Sequence, residues 1–158
     1  MNRELVGAEV TVALGLLVRR ETRERIYAEL TRDVADGVTE LTYPVISGLE
    51  RRGPCNAAEL AAAVGLDRSV VSRRASVLEG AGLLTRTSDP RDSRWTLLSL
   101  TEKGREVVAM MRGRLADILS DWLDQWPENE MNAFVRILSD FTVSGPFAHN
   151  NAEALPAI

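Results

Sequence analysis

Between residues 56 and 80, small and branched apolar residues fall at a spacing that few folds accommodate. Ala61 is followed four residues on by Gly65, and six further on by Val71. A small residue lets two helices cross closely, a glycine takes the tight turn, and a branched residue locks the second helix onto the first. This is what a helix-turn-helix needs. Asn56 with Glu59 predicts a capped start for the first helix, and Leu60, Ala61 and Val64 supply its apolar face. Leu66 plugs beneath the turn. Asp67 is the expected cap of a second helix that runs through Val71, Ala75 and Leu78 to Gly80-Ala81-Gly82. An ordinary helical hairpin satisfies the same spacing, so the flanking segments must decide.

Helical phase separates the two sides of that second helix. With Val71, Ala75 and Leu78 inward, Ser69, Ser72, Arg73 and Ser76 point away, at about 100° per residue. Small hydroxyls alternating with arginine allow close approach to a DNA groove. Arginine takes guanine bidentately and serine contacts bases or phosphates. Downstream, Asp89-Pro90-Arg91-Asp92-Ser93-Arg94 interrupts two runs of strand-forming residues, Leu83 to Thr87 and Trp95 to Leu100. Asp-Pro starts a turn, so a hairpin is expected with Arg91 and Arg94 at or beside its tip. Asp92 lies two residues before Arg94, within reach of its guanidinium. An arginine braced in this way loses less freedom on entering a narrow, electronegative minor groove. Alone, such a turn is an exposed loop with an idle ion pair. Beside a helix-turn-helix it becomes a second grip on DNA.

Charge supports that placement although the 158-residue chain carries a net charge of −4. Residues 68–94 hold six arginines against three carboxylates, whereas residues 105–158 hold four basic and eight acidic residues. A positive face on an acidic body still attracts phosphate, because distant charges are screened beyond about 8 Å. With 45% hydrophobic and 27% charged residues the chain can bury a core. No apolar run reaches the roughly 18 residues of a membrane span. Glu4 and Glu9 stand where a signal peptide has its basic region, and Cys55, the one cysteine, has no disulfide partner in the chain. A cytoplasmic, nucleoid-associated location is expected.

Both ends read as helical. Val6, Val10, Leu14 and Leu17 recur at helical spacing, and a charged stretch leads on to Ile26 and Leu30. Asp36-Gly37 breaks this segment, and Thr39 or Thr42 caps the next helix, with Pro44 in its first turn. After Thr101 a long helix carries Val108, Met111, Leu115, Ile118 and Trp122 in a heptad-like stripe. After Trp126-Pro127 another shows Met131, Phe134, Val135, Leu138 and Phe141. These apolar helices exceed what a small DNA-binding lobe needs for its core, so a homodimer interface is expected, with a larger monomeric core as the alternative. The fold class is mainly α with a small β-hairpin. Residues 1–36 form an N-terminal dimerisation region, 37–104 a winged helix-turn-helix, 105–143 the C-terminal dimerisation helices and 144–158 a flexible tail.

The segment from Val38 to Gly104 resembles the MarR family, the multiple-antibiotic-resistance type of winged helix-turn-helix regulator. The strongest part is Asp89-Pro90-Arg91-Asp92-Ser93-Arg94 followed by Leu98-Ser99-Leu100-Thr101-Glu102-Lys103-Gly104. These match the family patterns Asp-Pro-x-Asp-x-Arg and Leu-x-Leu-Thr-x-x-Gly, and Leu60 to Leu66 and Leu78 to Leu84 fit as well. The resemblance implies a homodimer that represses an inverted-repeat operator in double-stranded DNA, with half-sites about 10–10.5 bp apart. It places Ser69, Ser72 and Arg73 at base edges in the major groove, with Val70 near a thymine methyl. Arg94, braced by Asp92, becomes the minor-groove arginine, and Arg68, Arg74 and Arg91 become phosphate contacts. Release of the DNA by a small aromatic or drug-like effector also follows, with Tyr43, Trp95 and Met111 as candidate lining residues that core packing explains equally well.

Other signals are weak. Peroxide-sensing relatives use a cysteine in the first helix, whereas Cys55 precedes the first motif helix and is expected to be structural. The only histidine, His149, lies in the tail, so neither a metal site nor a cofactor is expected. There is no Ser/His/Asp or Cys/His set and no glycine-rich phosphate loop, which argues against an enzyme. The acidic balance keeps open one alternative, a winged helix that binds protein instead of DNA.

Overall fold

Leu60, Val71, Ala75 and Leu78, the inward set of the helix-turn-helix, are all buried. They anchor a core to which every neighbouring element contributes. The computed structural model describes residues 3–90, 92, 94–146 and 148. In chain order the elements are α1 (Arg3–Leu17), α2 (Arg20–Thr31), α3 (Tyr43–Arg52), β1 (Cys55–Asn56), α4 (Ala57–Val64), α5 (Arg68–Gly80), β2 (Leu84–Ser88), β3 (Thr96–Leu100), α6 (Glu102–Leu123) and α7 (Glu128–Ser144). The chain divides into two compact units, Met1–Leu115 and Ala116–Ile158.

In the first unit, α3 contributes Val45, Ile46 and Leu49 to the core, the sheet contributes Leu84 and Leu98, and α6 contributes Val107, Val108 and Met111. Fully burying one such side chain stabilises a fold by about 1.5–3 kcal/mol. Asn56 caps α4 as expected. Its side chain accepts from the Ala58 and Glu59 N–H groups, and Glu59 accepts in return from the Asn56 N–H at 3.1 Å. Gly65 closes α4 in the left-handed region, at φ 67°. Gly48 fits where a β-carbon would lie 2.6 Å from Val64 Cγ1, so α3 and α4 cross at a distance only glycine permits.

Two expected caps do not form. Asp67 occupies the N-cap position of α5 but makes no side-chain cap hydrogen bond. Thr42 precedes α3 yet donates its hydroxyl to the Gly37 carbonyl at 2.8 Å, while the alternative, Thr39, accepts at its hydroxyl from the Thr42 N–H at 3.4 Å and so caps the turn just before the helix. The N-terminal segment breaks between α1 and α2, where Arg19 adopts an extended conformation and the Thr22 hydroxyl donates to the Leu16 carbonyl. None of the residues of α1 is buried, and Leu5, Val12 and Leu17 are about two-thirds exposed, at 61%, 66% and 60%.

The sheet is antiparallel in the order β1-β3-β2. Leu84 pairs with Leu100 and Arg86 with Leu98, and on the other edge of β3 Cys55 pairs with Leu98. β1, absent from the sequence-based expectation, ties the entrance of α4 to the hairpin. It also buries Cys55, whose thiol is pushed up by desolvation and so stays protonated.

The sequence Leu98 to Gly104 joins the sheet to α6. The Thr101 N–H donates to the Leu83 carbonyl at 3.1 Å, its hydroxyl donates to the Gly82 carbonyl at 2.7 Å, and its oxygen accepts from the Gly104 N–H at 3.0 Å. Lys103 Nζ donates to the Ala81 carbonyl. A β-carbon at Gly104 would lie 2.1 Å from the Leu83 oxygen. Threonine as cap and glycine as the point of contact explain that motif physically.

In the second unit Trp122 packs against Trp126 and Phe134, with ring centroids 5.8 and 6.1 Å apart. Val135, Ile137 and Leu138 of α7 remain about half exposed, at 53%, 57% and 47%. Of the expected tail, His149 and the residues after it lie outside the described residues.

Candidate nucleic-acid interface

α5 buries Val71, Ala75 and Leu78 and leaves Arg68, Ser69, Arg73 and Ser76 exposed, while Val70 and Ser72 are half-buried. The free side of the helix is therefore the one that its phase predicts. The hairpin of β2 and β3 stands beside it. Asp89 N–H donates to the Trp95 carbonyl and Trp95 N–H to the Asp92 carbonyl, both at 2.9 Å, which closes the turn.

Asp92 and Arg94 form the expected pair. Asp92 Oδ1 accepts from the Arg94 backbone N–H at 3.1 Å and from Nε at 3.0 Å, and Oδ2 accepts from Nη2 at 2.7 Å. These bonds lower the Asp92 carboxyl below the ordinary carboxylate value and raise the Arg94 guanidinium. The arginine side chain is still 86% exposed. The carboxylate thus orients the guanidinium without burying it, which leaves the cation presented to solvent. Arg91 and Ser93 lie outside the described residues.

A groove of about 520 Å³ separates the hairpin from α5, lined by Arg68 and Ser72 on the helix and by Arg86, Arg94 and Trp95 on the hairpin. Arg86 escaped the sequence-based set. It sits on β2, where periodicity marks a strand but says nothing about its partners on α5. Its Nε donates to Glu79 at 2.8 Å, and its Nη2 donates to the Ser76 hydroxyl at 2.8 Å and to the Ser72 carbonyl at 3.3 Å. Ser76 in turn donates its proton to the Ser72 carbonyl at 3.1 Å. Its hydroxyl is therefore left with one lone pair and no free donor, so it can accept from an amino group but cannot donate to a phosphate.

Arg74 faces elsewhere. It lines a second groove, of about 770 Å³, with Arg20, Arg23, Tyr27, Leu41 and Leu66. The three candidate effector residues occupy different settings. Trp95 lines the hairpin groove, 45% exposed. Met111 is 2% exposed within the core. Tyr43 stacks on Tyr27 with ring centroids 4.5 Å apart, and burial raises its phenol above the usual value. Among the described residues, no group of three or more His, Cys, Asp or Glu side chains is placed to hold a metal ion, and no helix is long and apolar enough to cross a membrane.

Residues 36–94 match the sequence profile of the MarR family. The uncharacterized HTH-type transcriptional regulator YxaD of Bacillus subtilis (strain 168) is 28% identical over 135 residues, covering 85% of this chain and 89% of YxaD. The crystal structure of RV1404 from Mycobacterium tuberculosis superposes with a TM-score of 0.71 at 28% identity, over 92% of this chain and 95% of that one. BpsR of Bordetella bronchiseptica, whose DNA binding is regulated by 6-hydroxynicotinic acid, superposes with a TM-score of 0.57 at 25% identity, over 82% and 98% of the two chains.

Proposed function

We propose that the chain, similar to the MarR family over residues 36–94 and to the regulator YxaD over most of its length, is a DNA-binding transcriptional regulator that grips an inverted-repeat operator at two places per protomer, as a homodimeric repressor. α5 enters the major groove with Ser69, Ser72 and Arg73 at base edges and Val70 against a thymine methyl. The hairpin is the wing, and Arg94 enters the minor groove. Arg68 and Arg91 take phosphates. Arg74, on the side of the second groove, reaches a phosphate only at the flank of the site.

The observation that carries this reading is Arg94 held by its own neighbour: three hydrogen bonds to Asp92 on a side chain that remains open to solvent. A surface ion pair contributes little to stability, so its use is orientation. The test is Arg94→Ala, assayed by fluorescence anisotropy on a duplex that the wild-type protein has selected from random DNA. Affinity should fall by about 1–3 kcal/mol, roughly 5- to 150-fold. Log K should also fall steeply with log salt in the wild type. Unchanged affinity at fixed salt removes the wing role.

Dimerisation is supported by the apolar side chains that each unit leaves uncovered, Leu5, Val12 and Leu17 on α1 and Val135, Ile137 and Leu138 on α7. Exposed faces of this kind mark association surfaces. Residues 1–36 and 105–143 are the dimerisation regions in this reading, and sedimentation equilibrium showing a monomer at micromolar concentration would exclude it. An effector is supported by the regulation of BpsR and by the second groove, where Tyr27 offers an aromatic face and Arg20, Arg23, Arg25 and Arg74 outnumber Glu21, Glu24 and Glu40 by one. Because Arg74 of α5 lines that groove, a ligand there bears directly on the reading helix. Titrating 6-hydroxynicotinic acid into the protein–DNA complex tests that acid as the effector; no release of DNA at millimolar concentration excludes it.

A further inference from the structure

We propose that Arg86 is a positioning residue that sets the distance between the reading helix and the wing, and so decides whether Arg94 reaches the minor groove when α5 occupies the major groove. This rests on the two-point contact proposed above. Arg86 lies on β2 at the register of Leu98, the same level at which β1 holds the far edge of β3. On that edge the wing is gripped by backbone pairing. On the α5 side, Arg86 supplies the grip.

The acceptors it meets are spaced for that purpose. The Ser72 carbonyl, the Ser76 hydroxyl and the Glu79 carboxylate lie four and three residues apart, one stripe along the face of α5 that looks at β2. One planar guanidinium spans all three, so it resists sliding along the helix as well as rotation about it. A lysine offers a compact point charge on a flexible stem and cannot hold the same fork. Arg86 is also poorly placed as a free DNA contact, since its side chain is only 27% exposed and already shared among these partners.

Beyond Arg86 the hairpin extends about three residues to its turn, roughly 10 Å at 3.3 Å per residue. A rotation of about 10° at the level of Arg86 then moves the tip by nearly 2 Å, more than the width of a hydrogen-bond well. Loosening the clamp therefore disconnects Arg94 from a groove that α5 has already aligned, without touching Arg94 or Asp92.

The experiment is a double-mutant cycle with Arg86→Met and Arg94→Ala, singly and together, on the duplex selected by the wild-type protein, at several salt concentrations. Arg94→Ala should weaken the wild-type complex by tens of fold but the Arg86→Met complex by no more than about threefold. The salt slopes of Arg94→Ala and the double variant should coincide. Equal losses from Arg94→Ala in both backgrounds overturn the proposal. A double-variant slope shallower by about 0.9 overturns it too, since it identifies Arg86 as a phosphate contact. No loss from Arg94→Ala in the wild type defeats the wing reading itself, and the proposal with it. Should Arg86→Met fail to fold, Glu79→Ala removes an anchor from the helix side, outside the predicted DNA contacts. The same cycle with that variant must then show the reduced coupling, and additive effects there refute it.

Discussion

Gly104→Ala should destabilise the protein, against the usual gain of replacing glycine in a helix. Gly104 lies in the first turn of α6, where an added β-carbon would sit 2.1 Å from the Leu83 carbonyl oxygen. Carbon and oxygen settle near 3.3 Å, so about 1.2 Å must open between α6 and the chain leaving α5. That oxygen is the acceptor for the Thr101 N–H, and the adjoining Gly82 carbonyl accepts the Thr101 hydroxyl. Weakening both bonds costs about 1–3 kcal/mol, and overpacking adds about 1–3 kcal/mol. Alanine returns about 1 kcal/mol of helix propensity. The net loss is about 1–5 kcal/mol, and thermal melting followed by circular dichroism should show Tm lower by about 2–20 °C. Gly113→Ala on the same helix is the control. Nothing lies within 4 Å of its added carbon, so it should raise Tm by about 2–4 °C. Equal shifts for the two variants would refute the close-approach explanation of Gly104.

Two further outcomes follow from local geometry. Asn56→Ala removes the acceptor for the Ala58 and Glu59 N–H groups and should cost about 0.5–2 kcal/mol in urea unfolding, while Asn56→Asp should retain most of that. The Asp92 carboxyl is lowered, first by the Arg94 side chain. Its contribution to wing order is therefore present in full above the ordinary carboxylate value of about 3.9 and fades as pH falls through the lower folded value. Carbon-13 NMR of the Asp92 carboxyl should show a midpoint below 3.9 that moves up in Arg94→Ala; a midpoint that does not move would mean that the pair is absent in solution.

What was legible in the sequence was local. The spacing from Ala61 to Val71, the phase of α5 and the Asp-Pro turn each depend on residues a few positions apart, and the structure reproduces them. What escaped depends on distant neighbours. β1 has only two residues, too few for any periodicity, and exists because Leu97 and Leu98 of β3 offer it an edge. Gly48 reads as a poor helix residue until Val64 is seen against it. Asp67 has the chemistry of a cap and the position of one, yet makes no bond. Arg86 carries no signal at all without its three acceptors on α5. For the site, the Asp92–Arg94 brace was legible because two residues separate its partners, whereas the settings of Ser76 and Arg74 needed the helix placed among its neighbours.

The weld between Thr101 and residues 81–83 has one more consequence. It brings the two ends of the hairpin segment together independently of what lies between them. The entropy of closing that loop is therefore met at its base, and lengthening the tip adds only about 0.6 kcal/mol per doubling. The wing behaves as an exchangeable cassette. Residues inserted at Asp89-Pro90 or a tip borrowed from another sequence change how far the second grip reaches, while α5 and the start of α6 keep their places.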